Sequence, residues 1–197
     1  MTDLIRRSRA STVFDLFHAR ALLHPRRVAV QDARRAQTYR GLEDSSVRLA
    51  DALAARGIRR GDPIAILSEN RVEYLQVVLA AARLGAVVAC LNWRLTAREI
   101  DEALRVVTPS LVVVSPRHRH LLPDADDDRT AILVIGDDLE AFVAAGTHKA
   151  SADVSSEDVD SEDPLLVLYT SGTTGSPKGA TISHRAEIVR NLVTRVE

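Results

Sequence analysis

Short, fully apolar runs recur along the chain with helix-like segments between them, and nothing else in it restricts the fold as strongly. Ile64-Ala65-Ile66-Leu67, Val87-Val88-Ala89-Cys90-Leu91, Leu111 to Val114 and Ala131 to Ile135 are apolar at successive positions. A strand with one wet face would alternate, so these strands are predicted to be buried on both faces. Gly41 to Arg56 places Leu42, Leu49, Ala50 and Leu53 on one side and meets a stop at Gly57; Arg71 to Leu84 is ended by Gly85. Thr96-Ala97-Arg98-Glu99 has capping-box spacing and opens a helix through Val107, with Ile100, Ala103, Leu104 and Val107 turned inward. A first helix capped by Ser11 or Thr12 and ended near Pro25, a strand Val28 to Val30 and a short helix Asp138 to Ala145 complete the pattern. This alternation predicts an α/β fold, a mostly parallel sheet flanked by helices.

Composition narrows the function classes. At 46% hydrophobic residues the 197-residue chain is too apolar to be disordered. A net charge of -1 gives no general pull toward nucleic acid or anionic lipid, and the arginines of the basic first part are not interleaved with aromatics. Cys90 is the single cysteine, which excludes an intrachain disulfide and a thiolate zinc cluster; its apolar strand makes it a core residue. Val72 to Leu91 is broken by Glu73, Gln76, Arg83 and Gly85 and reads as helix then strand, not as a membrane span. No targeting segment is visible in Met1 to Ala10, so cytoplasmic localisation is the default expectation. The expected divisions are a tail (1–10), an α/β subdomain (11–150), an acidic linker (151–164) and a terminal unit (165–197). Asp124 to Asp128 reads as a surface turn and Ser151 to Asp163 as a flexible connection. Their carboxylates lack the spacing of a calcium loop, so no metal site is expected there.

Chemistry concentrates in one place. The buried-strand pattern Leu165-Leu166-Val167-Leu168-Tyr169 runs directly into Thr170-Ser171-Gly172-Thr173-Thr174-Gly175-Ser176-Pro177-Lys178-Gly179. Glycines let the backbone bend so that several N–H groups converge into an anion nest. Hydroxyls add donors and Lys178 adds a positive charge, a combination suited to a polyphosphate. The competing reading is a Gly/Ser/Thr-rich surface turn. The segment is not a Walker loop, because Lys178 follows Pro177 and precedes Gly179 rather than a hydroxyl residue; nor does a G-x-G-x-x-G fingerprint occur.

The string Tyr169 to Gly179, followed by His184, resembles the phosphate loop of the adenylate-forming (AMP-binding) superfamily of acyl-CoA synthetases, luciferases and peptide-synthetase adenylation domains. Thr38-Tyr39-Arg40-Gly41-Leu42, Gly61 to Asn70, Leu84 to Val88 and Leu91-Asn92-Trp93-Arg94-Leu95-Thr96 continue the resemblance in order. The Asn92 to Thr96 stretch is closer to fatty or aromatic acyl-CoA ligases than to peptide-synthetase domains. The resemblance implies the N-terminal part of an AMP-forming acyl-CoA ligase. Such an enzyme uses ATP with magnesium to activate a carboxylic acid, a fatty acid by the closest likeness, and coenzyme A as acceptor. It implies that Thr170, Ser171, Gly172, Thr173, Thr174, Gly175, Lys178 and Gly179 hold the β- and γ-phosphates. No catalytic side chain is assigned. The family's adenine, ribose and hinge segments have no counterpart here, and His184 to Glu197 reads as a helix left with an apolar face. The expectation is therefore a truncated chain that pairs with a downstream polypeptide and lacks complete activity alone. Two alternatives stay open: a non-catalytic interaction scaffold, and an adenylating enzyme that loads a carrier protein. His184 is expected to be a structural helix-start residue, Trp93 a packing residue, and His118 and His120 parts of a surface turn.

Overall fold

Residue alternation within each apolar run divides the protein into two cores on opposite sides of one sheet. The protein is described by a computed structural model covering residues 11–123, 130–146, 159–170 and 177–193. The elements are α1 (Val13–Leu23), β1 (Val28–Gln31), β2 (Ala36–Thr38), α2 (Tyr39–Ala55), β3 (Pro63–Leu67), α3 (Val72–Leu84), β4 (Val87–Leu91), α4 (Ala97–Val107), β5 (Leu111–Val114), a 3₁₀ turn (Pro116–Leu121), β6 (Ala131–Val134), α5 (Asp137–Gly146), β7 (Pro164–Thr170), β8 (Lys178–Ser183) and α6 (His184–Val193). A six-stranded sheet has the order β6-β5-β3-β4-β7-β8. Every pairing in it is parallel except β7 with β8. The mostly parallel sheet expected from the sequence is present.

Ile64 and Ile66 of β3, Val88 of β4 and Leu111 and Val113 of β5 face one way. They pack under Leu49 and Leu53 of α2, Val77 and Ala80 of α3 and Leu139 of α5. Ala65, Leu67, Ala89, Leu91, Val112 and Val114 face the other way, against Ile100 and Ala103 of α4. Both faces of each central strand are covered, which is why these strands read as unbroken apolar runs. A third cluster joins Phe14, Leu42, Leu79, Ala82 and Leu165 beneath α1. No described helix is long and apolar enough to cross a membrane.

Local capping explains the helix starts. Thr96 accepts the Glu99 N–H while the Glu99 carboxylate accepts the Thr96 N–H at 2.8 Å, the reciprocal pair its spacing predicts. Thr12, rather than Ser11, caps α1 in the same way with Asp15. Helix α2 starts at Tyr39, ahead of the expected Gly41, because the Thr38 hydroxyl accepts the Gly41 N–H at 3.1 Å.

Two strands were missed by the sequence reading. β2 pairs antiparallel with β1, and the hairpin turn is held by Asp32. Its carboxylate accepts N–H bonds from Val72 (3.0 Å), Arg34 (2.8 Å) and Arg35 (2.9 Å), which together lower its pKa to about 2. The Val72 bond fastens the hairpin to the start of α3. Asp32→Ala is expected to destabilise the fold by about 2 kcal/mol, the scale of a charged hydrogen-bond acceptor, read as a lower urea midpoint at neutral pH. The difference from the parent should shrink as pH falls from the ordinary carboxylate range toward 2, because the parent then loses its own carboxylate. The other missed strand, β8, lies at the site described next.

Gly85 ends α3 at φ 74°. An added Cβ would stand 2.9 Å from Arg60 Cγ and 3.1 Å from Val159 Cγ2. Gly85→Ala therefore combines backbone strain with crowding and is expected to cost about 1–3 kcal/mol, measurable as a lower melting temperature.

Candidate nucleotide-phosphate site

The parallel strands place their carboxyl ends on one edge, where the loops after β3, β4, β5 and β7 gather. In open α/β sheets this edge is where ligands are bound. β7 reaches it at Thr170 and the chain returns as β8 from Lys178, with Thr170 opposite Lys178 and Tyr169 opposite Gly179. The Thr170 hydroxyl reaches the Lys178 carbonyl at 3.5 Å. Of the expected phosphate-binding residues, Thr170, Lys178 and Gly179 sit at these paired, exposed strand ends. Ser171, Gly172, Thr173, Thr174 and Gly175 lie outside the described residues. Lys178 makes no ion pair with a described residue.

The strand ends are held from below. The Tyr169 hydroxyl donates to the Ala103 carbonyl of α4 at 2.9 Å, and burial raises its pKa to about 12, so it remains a donor. A Cβ on Gly179 would lie 2.8 Å from Val167 Cγ1. Val167 is itself buried and stiff at χ1, so glycine lets β8 approach β7 closely at this point.

A second cluster on the same edge was not anticipated. Glu69 follows β3 and accepts the Ser115 hydroxyl, which follows β5, at 2.7 Å. His118 Nε2 lies 3.3 Å from the same carboxylate. The His118 ring stacks on Trp93 at 5.2 Å, and the Arg94 guanidinium lies over the Trp93 ring at 4.2 Å. Burial alone would raise the Glu69 pKa; the Ser115 bond, His118 and Arg71 outweigh it and hold the carboxyl below its ordinary range. His118 is only 5% exposed, which corrects its expected place in a surface turn. Pro116 starts the 3₁₀ turn, and the tight i to i+3 repeat brings His118 back over Ser115, whose carbonyl accepts its N–H. Ser-Pro directly after a buried strand was the available signal. Trp93 is a packing residue, as expected.

His184 is fully buried at the start of α6, and its Nδ1 accepts the Val13 N–H at 3.1 Å. It joins the first and last described helices, the structural role expected for it. Cys90 packs against the α2–α3 core; burial, with Glu187 nearby, pushes its thiol pKa up, so it is a poor nucleophile.

A parallel sheet covered on both faces, with its loops collected at one edge, defines the ligand-binding class of α/β domain. Within that class the chain belongs to the AMP-binding enzyme family, which matches residues 17–196. It is 37% identical over 166 residues to a feruloyl-CoA synthase from Amycolatopsis sp, covering 84% of this chain and 32% of that protein. It is 34% identical over 173 residues to the fatty acid–[acyl-carrier-protein] ligase ScoC of Streptomyces coeruleorubidus, covering 86% and 32%. Its fold matches the N-terminal domain of FACL13 from Mycobacterium tuberculosis with a TM-score of 0.74 at 27% identity, over 88% of this chain and 44% of that one. The chain thus spans about a third of the length of these curated relatives.

Proposed function

We propose that this chain supplies the triphosphate-gripping part of an AMP-forming ligase that activates a carboxylic acid, a fatty acid in our reading. A carboxylate oxygen attacks the α-phosphorus of ATP, the bond to the β-phosphate breaks, and pyrophosphate leaves with the acyl-adenylate remaining. The thiol of coenzyme A then attacks the acyl carbon, loses its proton, and AMP leaves. Magnesium enters with the triphosphate as part of the substrate; among the described residues no three His, Cys, Asp or Glu side chains converge on a metal. The task of Thr170, Lys178 and Gly179, with Ser171 to Gly175 between them, is to hold the β- and γ-phosphates. Lys178 neutralises charge as pyrophosphate departs, an electrostatic contribution from groups placed beforehand.

The observation that carries this reading is the hairpin of β7 and β8. It opens at the ligand edge of the sheet, and between Thr170 and Lys178 the chain carries the glycine- and hydroxyl-rich segment that resembles the family's phosphate loop. A carrier-protein thiol as acceptor is the second reading, favoured by the likeness to a ligase named for that acceptor.

The test is an NMR titration of the 197-residue chain with inorganic tripolyphosphate and with ATP. Both are expected to shift the backbone signals of Thr170, Lys178 and Gly179, with a Kd of about 1 mM or weaker. Adenosine should leave them unmoved. Shifts with adenosine but none with tripolyphosphate would defeat the assignment. No acid-dependent ATP–pyrophosphate exchange is expected from this chain by itself.

A further inference from the structure

Helix α1 carries two apolar faces. Phe14 and Ala21 are buried on the side that packs against α2 and α3, where Phe14 joins the third core cluster. Leu16, Ala19, Arg20 and Leu23 have the i, i+3, i+4, i+7 spacing of a second face, and all four are exposed. Beside them Leu22 is 65% exposed, and Leu23 itself is 69% exposed. Val28, at the start of β1, adds another exposed apolar side chain. Apolar residues scattered singly on a surface are ordinary, whereas a group of them rimmed by polar residues marks a contact surface.

The rim is cationic. Residues 16–40 hold six arginines against one carboxylate, Asp32, whose oxygens already accept from the N–H groups of Val72, Arg34 and Arg35. Arg20 lies on the outward face of α1, and Arg26 and Arg27 follow shortly after the two leucines. The Arg40 N–H donates to the Pro25 carbonyl at 3.2 Å and the Tyr39 N–H to that of Arg27 at 3.0 Å, which brings Arg40 back beside this turn. Arg20, Arg26, Arg27 and Arg40 are exposed and form no ion pair with a described residue. The net charge of -1 for the whole chain conceals this local excess.

Leucines among guanidinium groups fit a surface that is anionic outside and apolar just beneath. A second copy of the chain fits poorly, because a two-fold contact would set the arginines of one copy against those of the other. A nucleic acid would answer the arginines and leave the leucines in water. A bilayer with anionic headgroups answers both. Its phosphate and carboxylate oxygens accept from the guanidinium groups while Leu22 and Leu23 enter the boundary of the acyl chains.

We propose that the outward face of α1, with the turn that leads into β1, docks on an anionic phospholipid bilayer without crossing it. The proposal is independent of the acid-activation reading. The test is co-sedimentation of the 197-residue chain with vesicles of phosphatidylcholine alone and of phosphatidylcholine with about 30% phosphatidylserine. Binding is expected to the anionic vesicles only, and to weaken about tenfold or more at about 0.5 M salt. Arg26→Gln combined with Arg27→Gln should weaken it about 25-fold, roughly fivefold for each charge. Leu22→Ser combined with Leu23→Ser should weaken it about tenfold or more. All four side chains are exposed, so the melting temperature should stay put in both double variants. Arg98→Gln with Arg105→Gln removes as many charges from α4, on the other side of the sheet, and should leave binding unchanged. No binding to the anionic vesicles, or an equal loss in the α4 variant, would overturn the proposal. So would a loss that follows the arginines but not the leucines, which would mark a general polyanion surface.

Discussion

Lowering the pH from about 7.5 to about 5 is expected to destabilise the chain, and substituting His184 to remove much of that dependence. Burial pushes the His184 pKa below its ordinary value, with Asp163 and Asp15 opposing the shift only partly. The geometry gives the reason. Nδ1 accepts the Val13 N–H, so the ring must be neutral with its proton on Nε2, and Nε2 has no partner of its own. Protonation would place an N–H where an acceptor is required and would charge a fully buried ring. A depressed histidine pKa means that the folded state favours the neutral form. Its stabilisation is complete above the unfolded value of about 6.5 and is lost as pH falls through the folded one. His184→Asn keeps an acceptor near the Nδ1 position and does not titrate; its stability should vary less between these pH values. His184→Ala leaves a cavity and an unpaired Val13 N–H, at an expected cost of about 3 kcal/mol at neutral pH. Denaturant melts of the three proteins at both pH values decide the matter. Parallel pH curves for parent and His184→Asn would show that His184 is not the titrating group.

What could be read in advance follows from how much of each element's identity is local. β3, β4, β5 and the interior of β7 are covered on both sides, so their own side chains announce them. The Thr96 cap is equally local, since both bonding partners lie within one turn. β8 carries Lys178, Gly179, Thr181 and Ser183 along an exposed edge, and its strand conformation comes from pairing with β7 rather than from its own composition. β2 spans only Ala36 to Thr38 and is likewise defined by its partner. The burial of His118 depends on Glu69 and Trp93, distant in sequence, and no local pattern encodes it. The candidate phosphate site was legible for another reason. Its order of hydroxyls, glycines, proline and lysine is distinctive even though its composition resembles that of many turns.

In a polypeptide that carries this sequence and the rest of the relatives' length, Lys178→Met is expected to lower acid-dependent ATP–pyrophosphate exchange by about 10²–10³-fold, the scale of removing one placed donor from a charged transition state. Lys178 begins β8 opposite Thr170, is exposed, and has no described carboxylate to hold it. In the role proposed for it, its ammonium would follow phosphate oxygens as charge moves onto pyrophosphate. Because that charge develops only as the bond to pyrophosphate breaks and is greater in the transition state than in bound ATP, the loss should fall mainly on kcat and less on KM for ATP. Lys178→Arg keeps the charge but brings a planar fork in place of a compact ammonium, so partial activity is expected. Stability separates this role from a structural one. An exposed lysine side chain with no ion pair among the described residues should alter the unfolding free energy by no more than about 0.5 kcal/mol. Gly179→Val, beside it, drives a side chain into Val167 and should lower activity and stability together. Loss of exchange in Lys178→Met with an unchanged melting temperature places the ammonium on the phosphates; unchanged exchange would remove it from them.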